Sequence, residues 1–362
     1  MQRVLQFGTG RFLRGFIDPF IDDANSGAPA SAGPLRAVTA GETTGAGMAA
    51  RLAQQGCAYR LLVRGLEQGA VVDTSRIIRS IDRTVDAAAD PRAAVDAALD
   101  PAVRFIVSNT TEAGYDGDFP GRLSAVLGAR ARAGLPGLVI LPCELIERNG
   151  DRLRTLVLAD AAARGADAGV VEHIRDANTW AVTLVDRITT MPGPDVPGTH
   201  DDPLAVAVEP FASWVVEAPA GTPVIEHAAV ERTADVLPYA LRKIRILNGA
   251  HTALVVRTRG TGVTYVREAM DDPATAAWLE SLMLEEIVPA LGERIVGGEA
   301  FARTTLERFR NPFADHRLAD IAIHHDQKLA IRLLPTFGDF RMRFGRAPRL
   351  LGQALAQEGI TP

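Results

Sequence analysis

The chain has 362 residues, of which 47% are hydrophobic and 23% charged, with a formal net charge of −5. That balance, with no Lys/Arg-rich run, argues against a nucleic-acid binder, and Cys57 and Cys143 form neither a disulfide framework nor a zinc pattern. No apolar run approaches the ~18 residues of a membrane span and no basic-plus-apolar leader opens the chain, so a cytoplasmic protein of about two domains is expected.

The first predicted element is a short apolar strand over residues 3–8, running through Phe7-Gly8-Thr9-Gly10-Arg11-Phe12 into a helix over 11–25. Glycines at 8 and 10 let the backbone turn sharply and approach a pyrophosphate, which a helix N-terminus then stabilises. Leu13 stands where a third glycine is usual, and tight strand–helix turns use glycine without any ligand as well. The placement, strand before and helix after, favours dinucleotide binding by Phe7, Gly8, Gly10, Arg11 and Phe12. Arg11 and Arg14 would add charge against the phosphates.

A strand over 35–40 leads to Glu42, near where an acid would bind the adenosine ribose hydroxyls and favour NAD over NADP. A solvated loop acid fits Glu42 equally well. A helix over 44–55, a hairpin within 58–82 turning at Glu67-Gln68-Gly69, and a helix over 90–99 come next. Strands over 103–108 and 137–143 then alternate with helices over 119–133 and 150–164. This alternation predicts an α/β fold with a Rossmann-like, doubly wound parallel sheet, whose ligands bind beyond the carboxyl ends of the strands. Two polar motifs fall at such ends, Ser108-Asn109-Thr110-Thr111-Glu112-Ala113-Gly114-Tyr115 and Cys143-Glu144-Leu145-Ile146-Glu147-Arg148-Asn149-Gly150. Asn109 and Thr110 join the cofactor candidates, although such clusters also serve simply as turns and helix caps.

Residues 191–203, with four prolines and two glycines, read as a loop, and 211–217 and 223–230 as strands. From about 236 helical spacing takes over, as at 273–291 and 298–309. The expected organisation is a dinucleotide-binding domain over 1–235 and a mainly α-helical substrate and catalytic domain over 236–362.

The helical part opens on Lys243-Ile-Arg-Ile-Leu-Asn248-Gly-Ala-His251. On an α-helix, His251 falls about 80° and Asn248 about 140° around from Lys243, all on one side of about two turns. An amine, an amide and an imidazole so placed could converge on one oxygen atom. Interconversion of an alcohol and a carbonyl needs that set: a proton carrier and two hydrogen-bond donors to the oxygen. The interleaved Leu241, Ile244, Ile246, Leu247, Leu254 and Val255 predict burial, and a buried trio of this kind also serves structural bonding. Downstream, Arg308, Arg310, His316 and Lys328 are candidates to clamp a carboxylate, or are simply solvated. His324-His325-Asp326 lacks a third ligand at a telling spacing, so no metal site is expected there.

Taken together, Gly8-Thr-Gly-Arg-Phe-Leu-Arg14, Ser108 to Gly114, Leu141 to Ile146 with Asn149-Gly150, Thr183-Leu-Val-Asp-Arg-Ile188, Lys243 to Thr252, and Arg308-Phe-Arg-Asn-Pro312 with His316 resemble a known family. It is the polyol-specific long-chain dehydrogenase/reductase (mannitol dehydrogenase) family, and within it the tagaturonate reductase (altronate oxidoreductase) branch. The motifs fall in order across residues 1–335. The resemblance implies a metal-independent, NAD(H)-using oxidoreductase that interconverts a keto-sugar acid and a sugar acid. It further implies that Lys243 is the acid/base, that Asn248 and His251 hold the reacting oxygen, that Glu112 lines a proton route to the lysine, and that Asp186 contacts substrate. Leu145 stands where mannitol dehydrogenases carry a second asparagine. The chain stops at Pro362, where tagaturonate reductases continue for several helices, so reaction type is better supported than substrate. A polyol or polyol-phosphate dehydrogenase of the mannitol/fructose type, and a non-catalytic dinucleotide-binding module, remain alternatives. The expected partner is a small sugar acid or polyol, with no nucleic acid or membrane, bound by a monomer or small homo-oligomer.

Overall fold

The computed structural model describes residues 2–27, 36–40 (backbone only), 45–193, 196–197 and 199–361. Two compact units emerge, one of Met1–Val63 with Thr74–Val236 and one of Arg64–Asp73 with Leu237–Pro362.

The first unit begins with β1 (Arg3–Phe7), α1 (Arg11–Gly15), α2 (Ile17–Gly27), β2 (Arg36–Ala40) and α3 (Met48–Gln54). A hairpin of β3 (Tyr59–Glu67) and β4 (Ala70–Ile78) follows, then β5 (Ile81–Val85), α4 (Pro91–Ala98) and β6 (Val103–Ser108). Next come α5 (Glu112–Asp116), α6 (Phe119–Arg132), β7 (Val139–Pro142), α7 (Asn149–Ala163), α8 (Ala168–Asp176) and β8 (Thr179–Trp180). Five short strands close it: β9 (Val182–Asp186), β10 (Thr189–Thr190), β11 (Val206–Val208), β12 (Ser213–Glu217) and β13 (Val230–Thr233).

Six strands pair in the order β5-β2-β1-β6-β7-β8, every pair parallel. With the hairpin set aside this is the 3-2-1-4-5-6 order of a Rossmann sheet, whose direction of winding reverses between β1 and β6. Side chains alternate to opposite faces, and β1, β6 and β7 bury apolar residues on both, which is why these three strands are mainly apolar. Val4, Phe105, Val107 and Leu141 enter one core with Phe16, Phe20 and Trp214, while Leu5, Phe7, Ile106 and Ile140 enter the other with Phe119 and Leu123.

There are two smaller sheets, β10-β11-β3-β4 and β13-β12-β9, and the tip of the β3–β4 hairpin, Arg64–Asp73, belongs to the second unit. The hairpin turn uses Gln68 (φ 53°) and Gly69 (φ 78°), both left-handed as a two-residue primed turn requires. The expected strand over 223–230 is corrected: His227 Nδ1 accepts from Ala229 N–H in a turn, and pairing begins only at Val230.

The second unit is built on helices: α9 (Leu237–Arg242), α10 (Asn248–Arg257), α11 (Val266–Asp271), α12 (Pro273–Ser281), α13 (Val288–Leu291) and α14 (Gly298–Phe309). The short α15 (Leu318–Ile321) and α16 (His325–Lys328) precede α17 (Leu334–Phe344) and α18 (Arg349–Gln357). Three π-helical segments, Lys243–Leu247, Leu282–Ile287 and Leu329–Leu333, join α9 to α10, α12 to α13 and α16 to α17. Pro289 and Pro335 follow two of them. A proline ring clashes with the carbonyl four residues earlier, and one extra residue in the turn carries that carbonyl aside. No proline follows the Lys243 segment within its helix. Among the described residues no helix is long and apolar enough to cross a membrane.

Candidate active site

The turn at the carboxyl end of β1 meets the one at the end of β6. Asn109 N–H donates to Phe7 O (3.0 Å), and a Cβ on Gly8 (φ +119°) would lie 2.9 Å from Asn109 O. Only glycine fits there without strain. Gly10, by contrast, has an ordinary φ of −66°, and a Cβ built on it meets nothing within 4 Å. The backbone is therefore bare on the side where a pyrophosphate would approach. The turn fits NAD(H): Gly10 leaves open space in which the cofactor's pyrophosphate would be held. Phe7 is buried against Phe119 (ring centroids 5.3 Å), Phe12 stacks on Phe16, and Arg11 is exposed. Arg14 is corrected: it is buried, and its guanidinium donates to Thr9 O and Leu204 O, so it serves as a brace for the backbone of the turn. Glu42 lies outside the described residues.

The loop after β6 hangs on an acid that sequence reasoning passed over. Glu144, 2% exposed, accepts from Ser108 Oγ (3.0 Å), Thr110 N–H (2.8 Å), Thr110 Oγ1 (3.1 Å) and Tyr115 OH (3.3 Å). Burial pushes its carboxyl above the ordinary range, against the pull of these donors. The network holds Thr111 at φ 66°, ψ 173°, a costly backbone for a β-branched residue. Glu112 follows, exposed at the first position of α5. Asn149 acts as a structural knot: its Nδ2 donates to Pro142 O, Glu144 O and Thr183 O, and its Oδ1 accepts from Gly150 N–H and Thr183 N–H. Asp186 closes β9, 9% exposed.

In the second unit the π turn alters the geometry expected of an α-helix. Asn248 N–H donates to Lys243 O, five residues back, so the two positions stand one widened turn apart and nearer in angle about the axis than an α-helix would put them. The segment is also less buried than its apolar residues suggest. Ile244 is 40% exposed and Lys243 and Asn248 are half-buried, while His251 is only 8% exposed.

His251 stacks on Phe309 (centroids 4.2 Å) and meets the edge of His316 (4.7 Å). Its Nε2 is buried without a hydrogen-bond partner. Burial, followed by the charges of His316, Arg308, Arg332 and Lys328, drives its pKa far below the usual imidazole range, so the ring is neutral at physiological pH and carries one donor and one acceptor. Arg308 is itself buried, whereas Arg310 is exposed at the end of α14 and takes no part in this group. Phe309 and Arg332 were missed in the sequence. The only sign of Arg332 is a cation four residues beyond Lys328. Among the described residues no group of three or more His, Cys, Asp or Glu is placed to hold a metal ion.

A parallel sheet of Rossmann order with a bare Gly-x-Gly turn at its winding reversal, together with a lysine, amide and imidazole set on helices, defines a dinucleotide-dependent dehydrogenase/reductase. The chain belongs to the mannitol dehydrogenase family: the family's Rossmann domain matches residues 2–227 and its C-terminal domain residues 235–357. Altronate oxidoreductase of Bacillus subtilis (strain 168) is 36% identical over 379 residues, covering 97% of this chain and 77% of that protein. Altronate oxidoreductase of Klebsiella pneumoniae (strain 342) is 36% identical over 382 residues, covering 98% and 78%. Among solved structures, Pseudomonas fluorescens mannitol 2-dehydrogenase in ternary complex with NAD and D-mannitol matches with a TM-score of 0.75 at 26% identity, covering 98% of this chain and 78% of that one. A substrate-free D-sorbitol dehydrogenase matches with a TM-score of 0.85 at 24% identity, covering 98% and 79%, a likeness of fold.

Proposed function

We propose that the chain interconverts a keto-sugar acid and a sugar acid, of the tagaturonate/altronate kind, with NAD(H). The observation that carries the substrate class is the ring of cationic and histidine side chains about the orphaned, neutral His251. A desolvated group of that sign suits a carboxylate far better than a neutral polyol. The names of the 36%-identical relatives point the same way.

Bound NAD(H) supplies the acceptor or donor of hydride. The residues of the chain manage the oxygen. In the oxidising direction Lys243 takes the hydroxyl proton as the carbon loses hydride; in reduction it returns that proton to the new alkoxide. Asn248 donates through its side-chain amide to the same oxygen, and neutral His251 donates through one ring nitrogen, so charge on the oxygen is met by preset donors. His316, Arg308 and Lys328 hold the far end of the substrate. Glu112 and Asp186 belong to the first unit; their assignment to a proton route and to substrate contact rests on the family resemblance. Phe7, Phe12, Arg11, Asn109 and Thr110 join the glycine turn in holding the dinucleotide.

The mannitol 2-dehydrogenase likeness supports a second reading, a polyol dehydrogenase. Initial rates followed by NADH absorbance decide between them. D-tagaturonate reduction and D-altronate oxidation should exceed activity on D-fructose and D-mannitol in kcat/KM. Higher efficiency with the neutral pair would overturn the sugar-acid reading.

A further inference from the structure

Arg332 lies in the π segment Leu329–Leu333, four residues after Lys328, where like charges on one helix face repel. Neither side chain has an acidic partner among the described residues. Lys328 Nζ donates to Ile321 O (2.8 Å), and Arg332 Nη1 donates to Asn248 O (3.3 Å) and Thr252 Oγ1 (3.2 Å). Arg332 Nε is buried with no acceptor, and so is Nε2 of the adjacent His251. Buried polar groups are nearly always paired, so a guanidinium with an unpaired nitrogen, beside a second cation and with no acid among the described residues facing either, suits an anion.

We propose that Arg332 is a specificity-determining residue that, with Lys328, takes the carboxylate of the substrate, while its Nη1 edge fixes the helix bearing Asn248 and His251. This rests on the reading of the chain as a sugar-acid oxidoreductase. A guanidinium has donors to spare for both tasks: one nitrogen holds the Asn248 carbonyl and the Thr252 hydroxyl, and the others remain for a carboxylate. Selection for the acid and placement of the oxygen-binding pair would thus run through one side chain.

The test compares the parent with Arg332→Gln and Arg332→Lys. The kcat/KM ratio of D-altronate to D-altritol should fall about ten- to a hundredfold in Arg332→Gln and by less in Arg332→Lys, which keeps the charge. Calorimetric titration of D-altronate into the NADH-bound protein, a complex that cannot turn over, should show the same weakening. Equal loss on acid and polyol, or an unchanged ratio, overturns the assignment and leaves Arg332 as a brace for Asn248. A parent that oxidises altritol better than altronate breaks the functional reading instead. The titration then judges Arg332 separately, and altronate bound no more tightly than altritol by the parent, or equally by parent and Arg332→Gln, overturns it.

Discussion

Asn248 N–H donates to the carbonyl of Lys243, closing a turn one residue wider than an α-helix and bringing the two positions nearer in angle about the axis. The amine of Lys243 and the amide of Asn248 thereby occupy neighbouring positions on a single helix, as their proposed roles of proton carrier and oxygen-binding amide require. Lys243→Ala should keep the fold and NADH affinity but lose about 10²–10⁴-fold in kcat, the usual contribution of general acid–base catalysis. Added primary amines should restore part of the rate. Retention of more than about a tenth of parental turnover would remove Lys243 from the chemistry.

The two glycines of the nucleotide turn should fail differently. Gly8 needs its φ of +119° and has no room for a Cβ beside Asn109 O, so Gly8→Ala should cost on the order of 1–3 kcal/mol of stability. Gly10 is unstrained and open, so Gly10→Val should leave the unfolding midpoint near the parental value and abolish NADH binding. Calorimetry and thermal unfolding on both variants separate the two effects. Parental NADH affinity in Gly10→Val would move the pyrophosphate elsewhere.

Arg308 and Arg310 flank Phe309, yet only Arg308 is buried near His251. Arg308→Ala should lower kcat/KM for the sugar acid about ten- to a hundredfold. Arg310→Ala should shift both activity and stability by less than about 0.5 kcal/mol. Similar losses in the two variants would show that burial does not sort these arginines.

Asp18, 0% exposed beneath the nucleotide turn, accepts from Tyr59 OH (3.2 Å), and burial raises its pKa from 3.8 to about 7. Its Oδ1 and the nearby Gln6 Oε1 are both without a partner, a pair that one proton on the carboxyl would satisfy. The folded state holds this proton up to about pH 7, while the unfolded carboxyl releases it near 3.8. The folded state therefore binds more protons across that interval, and the stabilisation is complete below about pH 4 and lost as pH rises through 7. The loss is on the order of 4 kcal/mol at about 1.4 kcal/mol per pH unit. Asp18→Asn should flatten the fall in denaturant midpoint between pH 4 and 7; an identical slope in both proteins would count against a protonated Asp18.

The parallel sheet was legible in the sequence because short, mainly apolar strands such as Val103–Ser108 and Val139–Pro142 alternate with helical segments, and the glycine turn because the backbone at Gly8 admits no other residue without strain. Strands of two or three residues, such as Thr179–Trp180 and Val206–Val208, carry too little pattern to stand out. The π turn at Lys243 was not legible, since the spacing of Lys243, Asn248 and His251 satisfies an α-helix equally well and the extra residue is accommodated by packing. Charge alone also misled at Arg14, whose guanidinium serves as an internal brace on Thr9 and Leu204. Glu144 and Arg332 declare themselves only through partners 34 and 84 residues away in sequence.

The tip of the early hairpin belongs with helices made much later. Arg64 O accepts from Asn311 Nδ2 (3.1 Å), Gly69 N–H donates to Glu307 Oε1 (2.6 Å), and the Arg64 guanidinium lies 4.2 Å from the centre of the Phe313 ring. During synthesis this ribbon leaves the ribosome well over two hundred residues before its partners, and must wait with its tip uncovered. Long-range contacts of this kind form late and slowly. The two halves are consequently laced by three chain crossings instead of one, so cutting the chain near residue 236 would not liberate two self-sufficient pieces. The amino-terminal fragment would keep a loose tongue, and the carboxy-terminal fragment would lack a piece of its own fabric.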